Sequence, residues 1–106
     1  LLGGSRLRRA KAIEDKELTV LEHDEEQLSA EIRGYTVKID FRKKTISHDC
    51  VDWKRRKHLP PYKKLCKHIG KVLLIVPQGE AETFARDLIA NPDSWAVYAL
   101  GQRERP

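Results

Sequence analysis

Methionine is missing from this chain altogether, and asparagine occurs once, at Asn91. With Lys, Arg and Glu abundant instead, the balance is compatible with a thermophilic source. Long apolar runs are missing too. None approaches the roughly 20 residues of a membrane span, and Leu1-Leu2-Gly3-Gly4 is too short for a secretory signal. These absences exclude a helical membrane protein and predict a cytoplasmic chain. Leu1 opens it without a methionine, as a processed or trimmed N-terminus would. At 40% hydrophobic and 35% charged it is also too apolar for disorder. Its 106 residues make one domain, near the size where a metal staple helps.

Cysteine is almost as scarce, and its placement organises everything else. The only two, Cys50 and Cys66, each stand two residues from a histidine, as His48-Asp49-Cys50 and Cys66-Lys67-His68. Thiolate sulfur and imidazole nitrogen suit a tetrahedral Zn2+ ion, and four protein ligands leave no position open for a substrate. A single disulfide is the competing use, but flanking histidines in a non-secreted chain favour metal. One closed, structural zinc site on His48, Cys50, Cys66 and His68 is the expectation.

The net charge of +5 is unevenly spread. Residues 1–15 carry +2, residues 16–41 carry −4, residues 42–71 carry +9 and residues 72–106 carry −2. The positive charge gathers on the ligand-bearing stretch, the footprint expected of a phosphate backbone or an acidic protein surface. Arg42, Lys43, Lys44, Lys54, Arg55, Arg56, Lys57, Lys63 and Lys64 are the candidate phosphate contacts, with Trp53 and Tyr62 interleaved as candidate base-stacking residues. Trp53 has a second reading, as a cap over the metal site.

Patterning predicts an α+β fold. Residues 5–15 read as a basic helix capped by Ser5, with Leu7, Ala10 and Ile13 on one side. Residues 17–23 read as a strand. Leu28, Ala30 and Ile32 alternate on even numbers, whereas Tyr35, Val37, Ile39 and Phe41 alternate on odd ones, so Gly34 marks a tight turn or a bulge. In the next strand Ile46, His48 and Cys50 share a parity, which aims the ligand pair to the core side. Residues 51–65 form a long loop stiffened by Pro60-Pro61. Leu65, Ile69, Val72, Leu73 and Val76 make a helical stripe. Positions i and i+2 of a regular helix diverge by about 200°. Cys66 must therefore precede the helix, with His68 just inside it. A second helix runs from about Glu80 to Ala90, and Asn91-Pro92 starts a third, with Trp95, Tyr98 and Ala99 on its apolar side. The expected architecture is a small antiparallel sheet of three or four strands, a zinc-anchored helix and two further C-terminal helices. Its units are a basic helix or arm over 1–15, a zinc-binding domain over 16–76 and a helical extension over 77–106.

With both pairs placed, the chain resembles the SWIM zinc finger, whose signature is C-x-C, a spacer, then C-x-H. Cys50, Cys66 and His68 match the second, third and fourth ligand positions. Cys66-Lys67-His68-Ile69 leading into Val72-Leu73-Leu74 matches the family's closing helix, and residues 30–39 match the strands before the site. The first position departs, with His48 for cysteine, and His23, His58 and Asp49 are the other donors available. The likeness covers residues 7–76 and implies a ββα module binding DNA or proteins, in an archaeal-looking stand-alone form. The functions to weigh are a non-catalytic module binding nucleic acid in recombination or repair, an RNA-binding component of the ribosome, and an adaptor for a RecA-like ATPase. Without a Ser/His/Asp set, a phosphate loop or a catalytic carboxylate pair, an enzyme is not expected.

Overall fold

A computed structural model describes residues 4–55, 59 and 65–99. Its sheet is built by turn chemistry. Ile32 pairs with Tyr35, leaving Arg33 and Gly34 as a two-residue loop with φ of 51° and 82°. Positive φ at both positions is the type I′ turn, whose twist matches the strands it joins. The parity change at Gly34 is thus a tight turn between β2 (Gln27–Ile32) and β3 (Tyr35–Asp40). Before it, β1 (Leu18–His23) enters β2 through Asp24, whose Oδ1 accepts from the N–H groups of Glu26 and Gln27. After it, Lys44 takes a φ of 56° in the turn to β4 (Thr45–His48).

Alternation then decides what the sheet buries. Leu28, Ala30 and Ile32 of β2, Val37 and Ile39 of β3, and Ile46 and His48 of β4 are all sealed from solvent. Helices cover this face: α1 (Gly4–Ala12), α3 (Lys67–Ile75) and α4 (Gln78–Ala90), with the short α2 (Val51–Arg55) at the end of β4. The predicted stripe of α3 supplies Ile69, Val72 and Val76, and α4 supplies Phe84 and Leu88. Each such side chain contributes about 1.5–3 kcal/mol on burial. The N-terminal helix docks instead of reaching outward. Ala10 and Ile13 are buried against α3, and the nearly buried Lys71 of α3 pairs with the Asp15 carboxylate beyond α1.

The C-terminal stretch corrects the expectation of a third helix. Asn91-Pro92 opens only a single 3-10 turn, Pro92–Ser94, and the chain then extends as β5 (Ala96–Ala99). β5 pairs in parallel with β4, Thr45 opposite Ala96 and Ser47 opposite Tyr98, completing the strand order β1-β2-β3-β4-β5. Trp95, Tyr98 and Ala99 fit a helical stripe, but in the strand it is Trp95 and Val97 that turn to the core while Tyr98 is exposed. The parallel edge of β4 resolves the choice, because it offers backbone partners that a helix would leave unmet. The α+β class holds, with five strands and one α-helix after α3 among the described residues.

Candidate metal centre

The ladder between β3 and β4 ends at Val37 and His48. Beyond it, the backbone of Thr36 is satisfied by side chains. Its N–H donates to Asp49 Oδ1 at 2.8 Å, and its carbonyl accepts from His48 Nδ1 at 2.6 Å. A carbonyl can only accept, so Nδ1 carries the imidazole proton and Nε2 keeps a free lone pair. That Nε2 is buried and has no hydrogen-bond partner among the described residues. A buried polar atom left so is costly unless something else fills its lone pair. The carbonyl behind a histidine's distal nitrogen is also the usual support of a metal-bound imidazole.

The other donors arrive from two helix starts. Cys50 does not continue the strand, as parity had placed it. The chain turns after His48, the Cys50 carbonyl accepts from the N–H of Lys54 at 3.2 Å, and Cys50 Sγ accepts from the N–H of Trp53 at 3.3 Å. The ligand atoms of His48, Cys50, Cys66 and His68 all lie within 4.8 Å of one another. Cys66 caps α3 from an extended conformation (φ −96°, ψ 178°) and His68 sits in the first turn, as the helix geometry required. The two sulfurs are 3.7 Å apart, too far for a disulfide, and His68 Nδ1 is 3.7 Å from Cys66 Sγ.

All four residues are buried. Their electrostatics ask for a cation. The hydrogen bond between the sulfurs pulls the Cys50 thiol down to about 2, helped by His48 and His68 and opposed by burial. The same bond, burial and the Cys50 charge push Cys66 upward. A bound metal ion would take the place of thiol protons at these sulfurs. This quartet can hold a metal ion.

Aromatic rings close the cage. Tyr35 lies 4.9 Å from the His68 ring and 6.2 Å from that of His48, and Trp53 lies 6.0 Å from His48. Trp53 is 2% exposed and donates its indole N–H to the Tyr98 carbonyl at 2.8 Å, tying α2 to β5. The expectation that Trp53 stacks on a base is therefore overturned, since no face of its ring is free for one. Tyr35 was not foreseen as part of the site. It stands two residues before Val37, the partner of His48, and so on the same face of β3.

Two of the three competing donors are otherwise engaged. Asp49 serves Thr36, and His23 Nε2 lies 2.9 Å from Glu80 Oε1 at the far end of β1. His58, Arg56, Lys57, Tyr62, Lys63 and Lys64 lie outside the described residues. Of the remaining basic candidates, Lys54 and Arg55 are exposed on α2 beside the quartet. Arg42, Lys43 and Lys44 sit at the other end of β4, roughly 10 Å of strand away. There Arg42 meets Glu26 at 3.4 Å and Lys44 meets Asp87 at 3.0 Å. Among the described residues the basic run is therefore two clusters, not one.

Comparison of the chain with family models, with curated proteins and with solved structures returned no match.

Proposed function

We propose that this chain is a non-catalytic module of the SWIM type, stabilised by one zinc ion and binding nucleic acid beside it. The observation that carries the zinc reading is the unpartnered His48 Nε2, buried among three further soft or borderline donors. In a tetrahedral site with Zn–S bonds of about 2.3 Å, two thiolates stand about 3.8 Å apart. The Cys50–Cys66 separation of 3.7 Å fits that edge. Two thiolates neutralise a divalent ion and two neutral imidazoles complete its shell. The ion would supply a crosslink between the end of β4 and the start of α3. With four protein donors it has no position for substrate, which is why we read the module as non-enzymatic. Elemental analysis should find one zinc per chain, and two or none would count against the reading.

Lys54 and Arg55 support the nucleic-acid half. They are exposed on a helix whose first turn is anchored by Cys50 and Trp53, so their backbone is fixed where a phosphate strand would run. Binding should weaken with salt, and Lys54→Glu with Arg55→Glu should flatten the log–log salt slope by about 2. Salt-independent binding, or a slope unchanged by that pair, would remove this surface from the account. Whether the polymer is DNA in recombination and repair or RNA at the ribosome is settled by competing the two in one assay.

A further inference from the structure

A groove of about 850 Å³ opens at the end of the sheet away from the metal centre. Its floor is aromatic. Phe84 meets Phe41 edge-to-face at 6.0 Å and Trp95 likewise at 5.2 Å, so the three rings form one block between α4 and the turn after β3. Its rim is acidic: Asp24 and Glu25 from the turn after β1, and Glu80 and Asp87 from α4, against a single lysine, Lys44. That lysine is already taken by Asp87, and His23 by Glu80. A protein of net charge +5 has thus reversed its sign around one apolar depression.

We infer that this groove docks a short basic segment of a partner protein. The charge complementarity names the occupant: cationic side chains facing Asp24, Glu25 and Glu80, with an apolar side chain seated on the rings below. Aromatic faces favour cations as well as hydrocarbon, so floor and rim select the same chemistry. Length fits a peptide. Gly79 to Asp87 line one wall, and eight helical steps cover about 12 Å, enough for about four residues of extended chain. Phosphate is repelled here, so this surface and the Lys54–Arg55 surface take different partners and can be filled at once.

The test uses the intact zinc-loaded protein and a fluorescein-labelled hexapeptide of alternating arginine and leucine. Its two tryptophans give two indole N–H signals by NMR, one at each end of the sheet. Saturation with the peptide should move the Trp95 signal and leave that of Trp53 in place. Glu25→Lys and Thr83→Arg should each weaken binding at least tenfold, with an unmoved Trp53 signal showing that the variants are folded. An arginine–glycine hexapeptide should also bind at least tenfold more weakly. The proposal is overturned by an unmoved Trp95 signal, by equal binding of a glutamate–leucine or arginine–glycine peptide, by spermine matching the peptide, or by folded variants that bind unchanged.

Discussion

The two tryptophans stand at opposite ends of one sheet and show two ways to use the same side chain. Trp53, beside the metal ligands, gives its indole N–H to a backbone carbonyl and holds secondary structure together. Trp95, beneath the acidic groove, gives its indole N–H to the Asp87 carboxylate at 2.9 Å, a group shared with Lys44 and Asn91. One end spends its polar groups on fixing four donor atoms. The other keeps them in a partly exposed network of side chains. The same side chain fastens backbone at one end and joins a side-chain network at the other.

The largest way to break the comparison is to remove the crosslink. Structural zinc sites contribute apparent free energies of about 10–16 kcal/mol, against a total stability of about 5–15 kcal/mol for ordinary domains. Cys66→Ser, or chelation, should therefore abolish the cooperative unfolding transition in circular dichroism, and a folded apo protein would refute a structural role. Next is Trp53→Ala, which should cost about 3–5 kcal/mol through lost packing and the cavity left behind, measured by urea denaturation. A gentler pair sharpens the contrast. Trp53→Phe keeps most of the packing and loses the bond to Tyr98, about 1 kcal/mol, whereas Trp95→Phe should cost less because Asp87 retains its other partners. Equal losses would erase the distinction between the ends.

The smallest effect is expected at Lys44. Its ammonium holds the Asp87 carboxyl below the ordinary value of 3.8, helped by Asn91 and Trp95. A depressed carboxyl stabilises the fold above its unfolded pKa and loses that contribution as the pH falls through its folded one. Lys44→Met should therefore lower the melting temperature slightly at pH 7, and the difference from the parent should vanish in the acid range below pH 3.8. A difference that persists there would assign Lys44 a packing role instead.

What could be read in advance follows the range of the interactions. The ligand quartet was legible because metal chemistry dictates residue types at short spacing, and helix geometry alone placed Cys66 ahead of α3. The hairpins were legible because parity and a glycine are local. β5 was not, since Thr45 meets Ala96 from across the whole helical half of the chain. Nor was the split of the basic run, because residues adjacent in sequence around β4 end at opposite ends of a strand. The support of His48 was hidden for another reason. It comes from the backbone of Thr36, which no side-chain pattern announces.

The tie between Trp53 and Tyr98 decides where the sheet stops. β5 is only four residues long, and among the described strands it forms the margin beside β4. At the other margin, β1 is broken by a bulge between Val20 and Glu22, an ordinary guard against strand-to-strand recruitment. β4 has no such guard of its own. If a bound ion were lost, α2 would be expected to loosen, taking the indole from the Tyr98 carbonyl and freeing β5 from β4, whose backbone groups would then face a neighbouring molecule. Metal-starved protein should thus accumulate as cross-strand aggregates, which light scattering with and without a chelator would register.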